Sequence, residues 1–210
     1  MVIKQAGNPV IISCEIRDGK SDGVSVLDQG QGMLERCVIS GNVLAGVAIS
    51  EGGNPAVRNC AIRDGIDVGV YVHEQGLGTI ETCVISGNAK AGVSIRMGGK
   101  PVVRNCEIRD GKSVGVSVID QGLGTIEQCV ISGNGQAGVE VRRGGNPVIR
   151  ECEIRDGNGA GVLISEQGAG TFTGNRLNGK ALGEWEIGLT AGRFVRKQNT
   201  PNGAWWDRFR

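Results

Sequence analysis

The stretch Cys60-Ala61-Ile62-Arg63-Asp64-Gly65 decides the fold, because closely related phrases recur along the chain every 23 residues. An isoleucine follows each repeated cysteine two positions later. The cysteines in this series are Cys14, Cys37, Cys60, Cys83, Cys106, Cys129 and Cys152. A constant period indicates one small structural unit that stacks on copies of itself. The pattern therefore predicts a solenoid built from 23-residue coils.

Each coil contains three short segments with the alternation of a β-strand. The first carries an inward aliphatic residue such as Val57, the second contains the Cys-x-Ile pair, and the third resembles Gly69-Val70-Tyr71-Val72. Strands this short cannot bury enough apolar surface alone, so they need to stack. Because each copy returns to the same place one coil later, the sheets are expected to be parallel and in register. The predicted fold class is all-β, a three-sided parallel β-helix with three short strands per 23-residue coil and about eight to nine coils.

The cysteines lack the close pairs, such as Cys-x-x-Cys, that zinc sites use. Cysteines of neighbouring coils would lie about 4.8 Å apart. Their Cβ atoms would be about as far apart, beyond the ~3.8 Å that a disulfide prefers. A stack of reduced, buried thiols is therefore expected, in preference to a disulfide bridge or a metal site. No metal and no cofactor is predicted.

The turn after the isoleucine alternates between two forms, which gives a second period of two coils. Odd coils carry Arg-Asp-Gly, as at Arg63-Asp64-Gly65, and even coils carry Ser-Gly-Asn, as at Ser86-Gly87-Asn88. Glycine and asparagine both tolerate a positive φ, so we interpret the two forms as two solutions for the same bend. The aspartates of this series are two coils apart, about 9.6 Å, which is too far for one calcium ion. They are interpreted as turn residues: Asp18, Asp64, Asp110 and Asp156.

Composition limits the classes of partner. The formal net charge of +1 provides no field that would require a nucleic acid or an anionic membrane. No apolar run approaches the roughly 18 residues of a membrane span. The first residues lack the apolar core of a signal peptide. We expect a cytoplasmic protein that binds neither nucleic acid nor membrane.

The repeat loses its regularity near the C-terminus. Residues 1–190 are predicted to form the β-helix, with a partial coil at 1–6 and full coils from Gly7. Residues 191–210 are predicted to form a degenerate last coil and an aromatic cap. An open coil end exposes apolar side chains and unpaired backbone, so bulky residues there are expected to cover it. The predicted capping residues are Trp185, Trp205, Trp206 and Phe209.

Several phrases resemble a known family. They are Gly-Asn-Pro-x-Val/Ile-Arg at 53–58, Cys-x-Ile-Arg-Asp-Gly at 60–65, Glu-Gln-Gly-Leu-Gly-Thr-Ile-Glu at 74–81 and Ile-Ser-Gly-Asn-x-x-Ala-Gly-Val at 85–93. The arrangement is similar to the right-handed parallel β-helix repeats of the pectate-lyase-like superfamily. The closer likeness is to the CASH-type repeats of F-box ubiquitin-ligase subunits and bacterial multidomain proteins. The resemblance implies a right-handed, single-stranded β-helix, but one such solenoid can be a lyase, a hydrolase, an epimerase or a binding module.

Enzymes of that superfamily are expected to work in a groove walled by long loops. Here the coil length is constant, so no insertion is available to build a wall, and no catalytic residue is predicted. The outward positions of the third strand vary most between coils, so binding specificity could reside there, although a merely solvated face is the simpler interpretation of the same variation. The candidate binding residues are Tyr71, His73, Glu74, Arg96, Glu140, Arg142 and Arg143.

The predicted function is a noncatalytic recognition or scaffold module, a rigid solenoid that binds a protein or a glycan. The alternative is a polysaccharide lyase or glycoside hydrolase, which rests on the superfamily likeness. Self-association through coil ends or sheet faces stays open. A further row alternates in charge every 23 residues and is interpreted as an ion-pair ladder that needs no ligand. Its members are Glu35, Arg58, Glu81, Arg104, Glu127 and Arg150.

Overall fold

The structure is a computed structural model that describes residues 1–179 and 182–200. Within these residues the chain winds through three parallel β-sheets, here named sheets A, B and C, and visits them in the order B, C, A in each coil. Strands pair in register with the strand 23 residues away, as Tyr71 does with Ala48 and Ser94, except that the last described pair of sheet B, Gly170–Thr173 with Phe194–Lys197, is offset by 24 residues. This confirms the predicted all-β parallel β-helix with three strands in each 23-residue coil.

Sheet A is formed by the strands of the Gly-Val-x-Val type. Its nine described strands are Val2–Ile3, Val24–Val26, Val47–Ile49, Val70–Val72, Val93–Ile95, Val116–Val118, Val139–Val141, Val162–Ile164 and Trp185–Ile187.

Sheet B is formed by the strands that precede the cysteines. Its nine described strands are Val10–Ile12, Met33–Glu35, Ala56–Arg58, Thr79–Glu81, Val102–Arg104, Thr125–Glu127, Val148–Arg150, Gly170–Thr173 and Phe194–Lys197.

Sheet C follows the cysteines. Its eight described strands are Glu15–Arg17, Val38–Ser40, Ala61–Arg63, Val84–Ser86, Glu107–Arg109, Val130–Ser132, Glu153–Arg155 and Arg176–Asn178.

The core is a column of aliphatic side chains inside the three sheets. Each central strand of sheet A directs two side chains into the core, such as Val70 and Val72, whereas each central strand of sheets B and C directs one, such as Ile80 and Ile85. The intervening residues point outward because side chains alternate along a strand. The residues that carry any binding function are therefore the outward ones and those of the turns.

The cysteines lie at the corner between sheets B and C. The Sγ atom of Cys60 accepts a hydrogen bond from the backbone amide of Cys37, one coil earlier, at 3.4 Å. The same thiol donates to the carbonyl of Arg58 at 3.1 Å. All seven cysteines are free and six are buried, but Cys14 is exposed. The expectation of a fully buried stack is therefore wrong for Cys14, because no described coil covers it on that side.

The turns between sheets C and A give a different reason for the two-coil period from the one predicted. In the odd coil the positive φ falls on Asp64 (57°), and in the next coil it falls on the equivalent Gly87 (67°). Gly65 does not have a positive φ. A Cβ atom at this position would lie 3.1 Å from Oδ1 of Asn88. Asp64 and Gly87 therefore provide the bend, whereas Gly65 makes room for the side chain of Asn88.

The described C-terminal end of the solenoid carries aromatic residues. Trp185 packs edge-on against Phe172, with ring centroids 5.4 Å apart. The guanidinium of Arg196 lies 4.9 Å from the centre of the Trp185 ring. The other predicted capping residues, Trp205, Trp206 and Phe209, lie outside the described residues. Residues 1–179 and 182–200 contain no helix with the length and hydropathy needed to cross a membrane.

Candidate functional site

A groove of about 330 Å³ runs along the outer face of sheet A, beside the turns that enter this sheet from sheet C. The strand Val70–Val72 and the residue after it provide Tyr71 and His73. Arg96 follows the neighbouring strand in the equivalent position to His73. The turns contribute Asp67 and Lys90. The groove therefore combines an aromatic pair with side chains of both charges.

Small neighbours leave room around the tyrosine. Tyr71 lies in register between Ala48 on one side and Ser94 on the other. Ala48 and Ser94 are both buried, with exposed fractions of 8% and 4%. Because the row neighbours of a stacked strand lie only about 4.8 Å away, larger residues there would fill the space beside the ring. This pattern of one aromatic residue between two small ones creates the groove.

Tyr71 and His73 form a stacked pair. Their ring centroids are 4.3 Å apart, and the ring planes differ by 19°. Nδ1 of His73 lies 3.7 Å from Oε1 of Glu74. That nitrogen is buried and has no hydrogen-bond partner. The pair thus presents a rigid aromatic surface, and the unpartnered nitrogen lies buried beneath it.

Ion pairs and hydrogen bonds hold the turn side of the groove. Nζ of Lys90 lies 3.0 Å from Oδ1 of Asp67, one coil earlier. Asp22 accepts hydrogen bonds from Oγ of Ser25 at 2.8 Å and from the backbone amide of Ala45 at 3.0 Å. Both carboxylates are therefore engaged in contacts within the protein.

Arg96 is less tightly held than Lys90. Its Nε atom lies 3.9 Å from Oδ2 of Asp120, which is an ion pair without a hydrogen bond. The side chain is 39% exposed. A planar guanidinium in this state can bind a carboxylate through two parallel hydrogen bonds.

The other predicted residues lie farther along the same face, in an ion network. Glu140 is buried, receives a hydrogen bond from Ser117 at 3.3 Å and pairs with Arg142 at 2.8 Å. Arg143 pairs with Glu166 at 3.2 Å and with Asp120 at 3.4 Å. Glu166, followed by Asp120, raises the pKa of Arg143. These charges neutralise one another, which leaves few free donors for a ligand.

The structure therefore divides the predicted site in two. It brings Tyr71, His73 and Arg96 into one groove. Glu74 is exposed on the following turn. Glu140, Arg142 and Arg143 belong to the ion network, which meets the groove at Asp120, a partner of both Arg96 and Arg143. The expectation that uniform coils provide no walled groove also needs correction, because ordinary turns from sheet C form one wall here.

Sequence reasoning missed the turn residues Asp67 and Lys90. A signal was present, because Asp67 and Lys90 are opposite in charge and one 23-residue period apart. The same reasoning had found the charged row on sheet B, where Glu81 pairs with Arg58 at 3.3 Å and with Arg104 at 2.9 Å.

Cys83 and Cys106 are poor nucleophiles. A hydrogen bond with the thiol of Cys106 and, as a smaller cause, burial raise the pKa of Cys83 to about 12. The equivalent contact with Cys129 raises the pKa of Cys106 to about 12. These groups are thus thiols at neutral pH, whereas the thiolate is the reactive form. Among residues 1–179 and 182–200, no three His, Cys, Asp or Glu side chains converge as a metal site.

Comparison with known proteins supports the fold at two levels. The family model described as "Right handed beta helix region" matches residues 1–122 and 92–190. None of the curated proteins matches the chain. The solved structure of the A-module of mannuronan C-5 epimerase AlgE6 from Azotobacter vinelandii is similar, with a TM-score of 0.76 and 20% identity, and the match covers 90% of this chain and 57% of that one.

Two further structures share the fold. The periplasmic alginate epimerase AlgG has a TM-score of 0.72 at 14% identity, over 91% of this chain and 50% of that one. The pectate lyase Pel9A has a TM-score of 0.65 at 13% identity, over 87% of this chain and 58% of that one. This chain thus spans between half and three-fifths of the length of these proteins, and identities this low establish the fold alone.

The comparisons confirm the predicted right-handed parallel β-helix, a fold that this chain shares with two epimerases and a pectate lyase. The narrower likeness to CASH-type repeats stays a prediction. Because the family model extends over residues 1–190, this chain belongs to the right-handed β-helix family.

Proposed function

We propose that the groove on sheet A binds a carboxylate-bearing glycan, and that the chain is a recognition module without catalytic activity. The observation that carries the proposal is the stacked pair Tyr71 and His73 beside the weakly held Arg96. An aromatic ring provides a large, rigid apolar surface on which a sugar ring can stack. A guanidinium recognises a carboxylate with defined geometry.

The titles of the similar structures suggest the ligand class to examine first. Two of those proteins are epimerases of mannuronan or alginate, and one is a pectate lyase. Uronate oligosaccharides are therefore sensible probes. The weak sequence identity means that the argument for this chain rests on its own groove residues.

The state of the acidic residues argues against glycoside hydrolysis. That reaction uses two carboxyl groups that flank the scissile bond, one of them as a proton donor. The carboxylates that line the groove are Asp22 and Asp67, and both are engaged within the protein. A hydrolase mechanism would need to break these contacts.

A second candidate is a lyase or epimerase reaction that removes the proton next to a uronate carboxylate. The observation in its favour is that the imidazole of His73, a potential base, lines the same groove as Arg96, which could neutralise the carboxylate. Under this alternative, incubation with a uronate polymer should produce unsaturated ends that absorb in the ultraviolet, or a changed ratio of epimers. Neither product is expected if the chain is a binding module.

The test of binding is calorimetric titration with uronate oligosaccharides and with a neutral glucan of equal length. Wild-type protein is expected to bind the uronate chain and to ignore the glucan. Tyr71→Ala and Arg96→Gln should each weaken binding at least about tenfold, with an unchanged melting temperature because both side chains point outward. The matched control is Arg109→Gln on sheet C, which should bind as the wild type does.

Failure of the wild-type protein to bind any uronate probe would overturn the proposed glycan ligand. Equal weakening by Arg109→Gln would also contradict the assignment of the groove. A protein ligand, or a purely structural role as a spacer, would then become the better account.

A further inference from the structure

The charged row on the outer face of sheet B is the starting point for an inference about a partner. It consists of Glu35, Arg58, Glu81, Arg104, Glu127 and Arg150, one residue from each of six successive strands in register. Charge alternates at every step. Ion pairs within the row join Glu81 to Arg58 and Arg104, and join Arg150 to Glu127.

A second row lies beside it, two residues earlier on each strand, and carries no charge. This uncharged row is partly exposed, and its side chains are small or medium in size. Its members are Met33, Ala56, Thr79, Val102, Thr125 and Val148. The face of sheet B thus combines a stripe of alternating charge with a parallel uncharged stripe.

When the order of six alternating charges is reversed, every position carries the opposite charge. Two copies of the row can therefore pair along their whole length if they run in opposite directions. A two-fold axis parallel to the strands, between Thr79–Glu81 and Val102–Arg104, reverses the order of the coils and keeps each row opposite itself. Glu81 then faces Arg104 of the second copy. By the same operation Arg58 faces Glu127 and Glu35 faces Arg150, so every charge in the row meets an opposite charge.

The same two-fold axis also places the uncharged rows of the two copies opposite each other. Met33 meets Val148 of the second copy, Ala56 meets Thr125, and Thr79 meets Val102. At the corner that follows sheet B, the exposed Arg36 comes opposite the exposed Glu151. The match of Arg36 with Glu151 was not used to position the axis, so it supports the axis independently.

The other face-to-face arrangement is unfavourable. A two-fold axis along the solenoid would place the charged row of one copy against the uncharged row of the other. The glutamates and arginines would then lose water without gaining opposite charges, which costs free energy. Charge complementarity therefore selects the antiparallel arrangement of the two solenoids.

We propose that sheet B is the interface of an antiparallel homodimer, with a second copy of this chain as the partner. Six strands at about 4.8 Å give a contact about 30 Å long and two rows wide. The area of such a contact is smaller than the roughly 800 Å² per partner of a standard interface, so the dimer is weak. It is also sensitive to salt, because its contacts are largely between charges. The groove on sheet A is on another side of the solenoid and stays open in such a dimer.

The first measurement is sedimentation velocity of the whole chain, from about 10 μM to about 1 mM. The expected result is a shift from the monomer mass of 21.9 kDa toward twice that mass. The shift should decrease as salt is raised, because the contacts are largely electrostatic. A monomer at every concentration in low salt would overturn the proposal.

Two variants distinguish the contacts between the two copies from the ion pairs of the charged row within one chain. Glu81→Arg places like charges opposite each other at two symmetric positions, and should weaken dimerisation at least about tenfold. The double variant Glu81→Arg with Arg104→Glu restores every contact between copies. Within one chain, however, it leaves Arg58 beside an arginine and Glu127 beside a glutamate. It should therefore recover dimerisation and keep a lowered melting temperature.

The matched control is Glu107→Arg, which makes the same change of charge on sheet C. It should dimerise as the wild type does. The proposal is wrong if Glu107→Arg weakens dimerisation as much as Glu81→Arg does, or if the double variant fails to recover it while remaining folded by circular dichroism.

Discussion

Oδ1 of Asn88 accepts a hydrogen bond at 3.0 Å from the backbone amide of Gly65, which lies one coil earlier. The same side chain donates from Nδ2 to the carbonyl of Ile62 at 3.3 Å. Asn134 repeats both contacts with Gly111 and Ile108, at 3.1 Å each. The asparagines of the even coils therefore satisfy backbone groups of the odd coils, and this is the physical reason for the two-coil period.

Replacement of this asparagine should destabilise the fold. Asn88→Ala removes the hydrogen-bond partner of the buried backbone amide of Gly65, which is expected to lower the free energy of unfolding by about 1–3 kcal/mol. Urea denaturation followed by circular dichroism measures the change. The control is Asn146→Ala on an exposed turn, for which a change within about 0.5 kcal/mol is expected. Equal effects of the two substitutions would argue against the buried hydrogen bonds.

The glycine of the even turn should be more sensitive than another glycine with the same backbone conformation. Gly87 and Gly98 have φ values of 67° and 72°. Gly98→Ala should cost about 1–2 kcal/mol of stability from backbone strain alone. Gly87→Ala should cost more, because its Cβ atom would also collide with Oδ1 of Asp64. Thermal unfolding of both variants tests this order, and a smaller loss at Gly87 would contradict it.

The thiols predict a loss of stability at alkaline pH. The pKa values of Cys83 and Cys106 are about 12 in the folded protein, against 9.0 for an ordinary cysteine. Because the folded state holds these protons more tightly, their contribution is fully present below pH 9 and is lost as the pH rises toward 12. Each thiol can contribute a slope of up to about 1.4 kcal/mol per pH unit.

Urea denaturation between pH 8 and 11 under reducing conditions measures that slope. The double variant Cys83→Ala with Cys106→Ala should be less stable at pH 8, because it leaves cavities, but it should lose less stability as the pH rises. A slope equal to that of the wild type would show that other groups cause the alkaline transition.

The space beside Tyr71 gives a steric test of the groove. Ala48→Leu would place a larger side chain next to the ring, in register with it. It should reduce binding of a uronate oligosaccharide at least about tenfold, while the melting temperature stays within a few degrees because the new side chain points outward. The same substitution on sheet C, Ala61→Leu, should leave binding intact. Unchanged binding by Ala48→Leu would move the site away from this groove.

The sequence by itself determined the coil, the three parallel sheets and the inward residues. The reason is that the period of 23 residues requires each backbone segment to pair with an equal copy, and alternation then assigns Val70 and Val72 to the core. It also determined that Tyr71, His73 and Arg96 share one face. Their positions follow from strand register alone.

Only the tertiary structure decided how these residues make a groove. The stack of Tyr71 on His73 depends on side-chain torsions, which no periodicity specifies. The pairing of Asp67 with Lys90 depends on the path of an irregular turn, and the separation of Glu140 and Arg142 into their own network depends on which charges come within a few ångströms. A repeat dictates where the backbone returns, whereas contacts between side chains from different coils depend on distances that exist only once the coils are stacked.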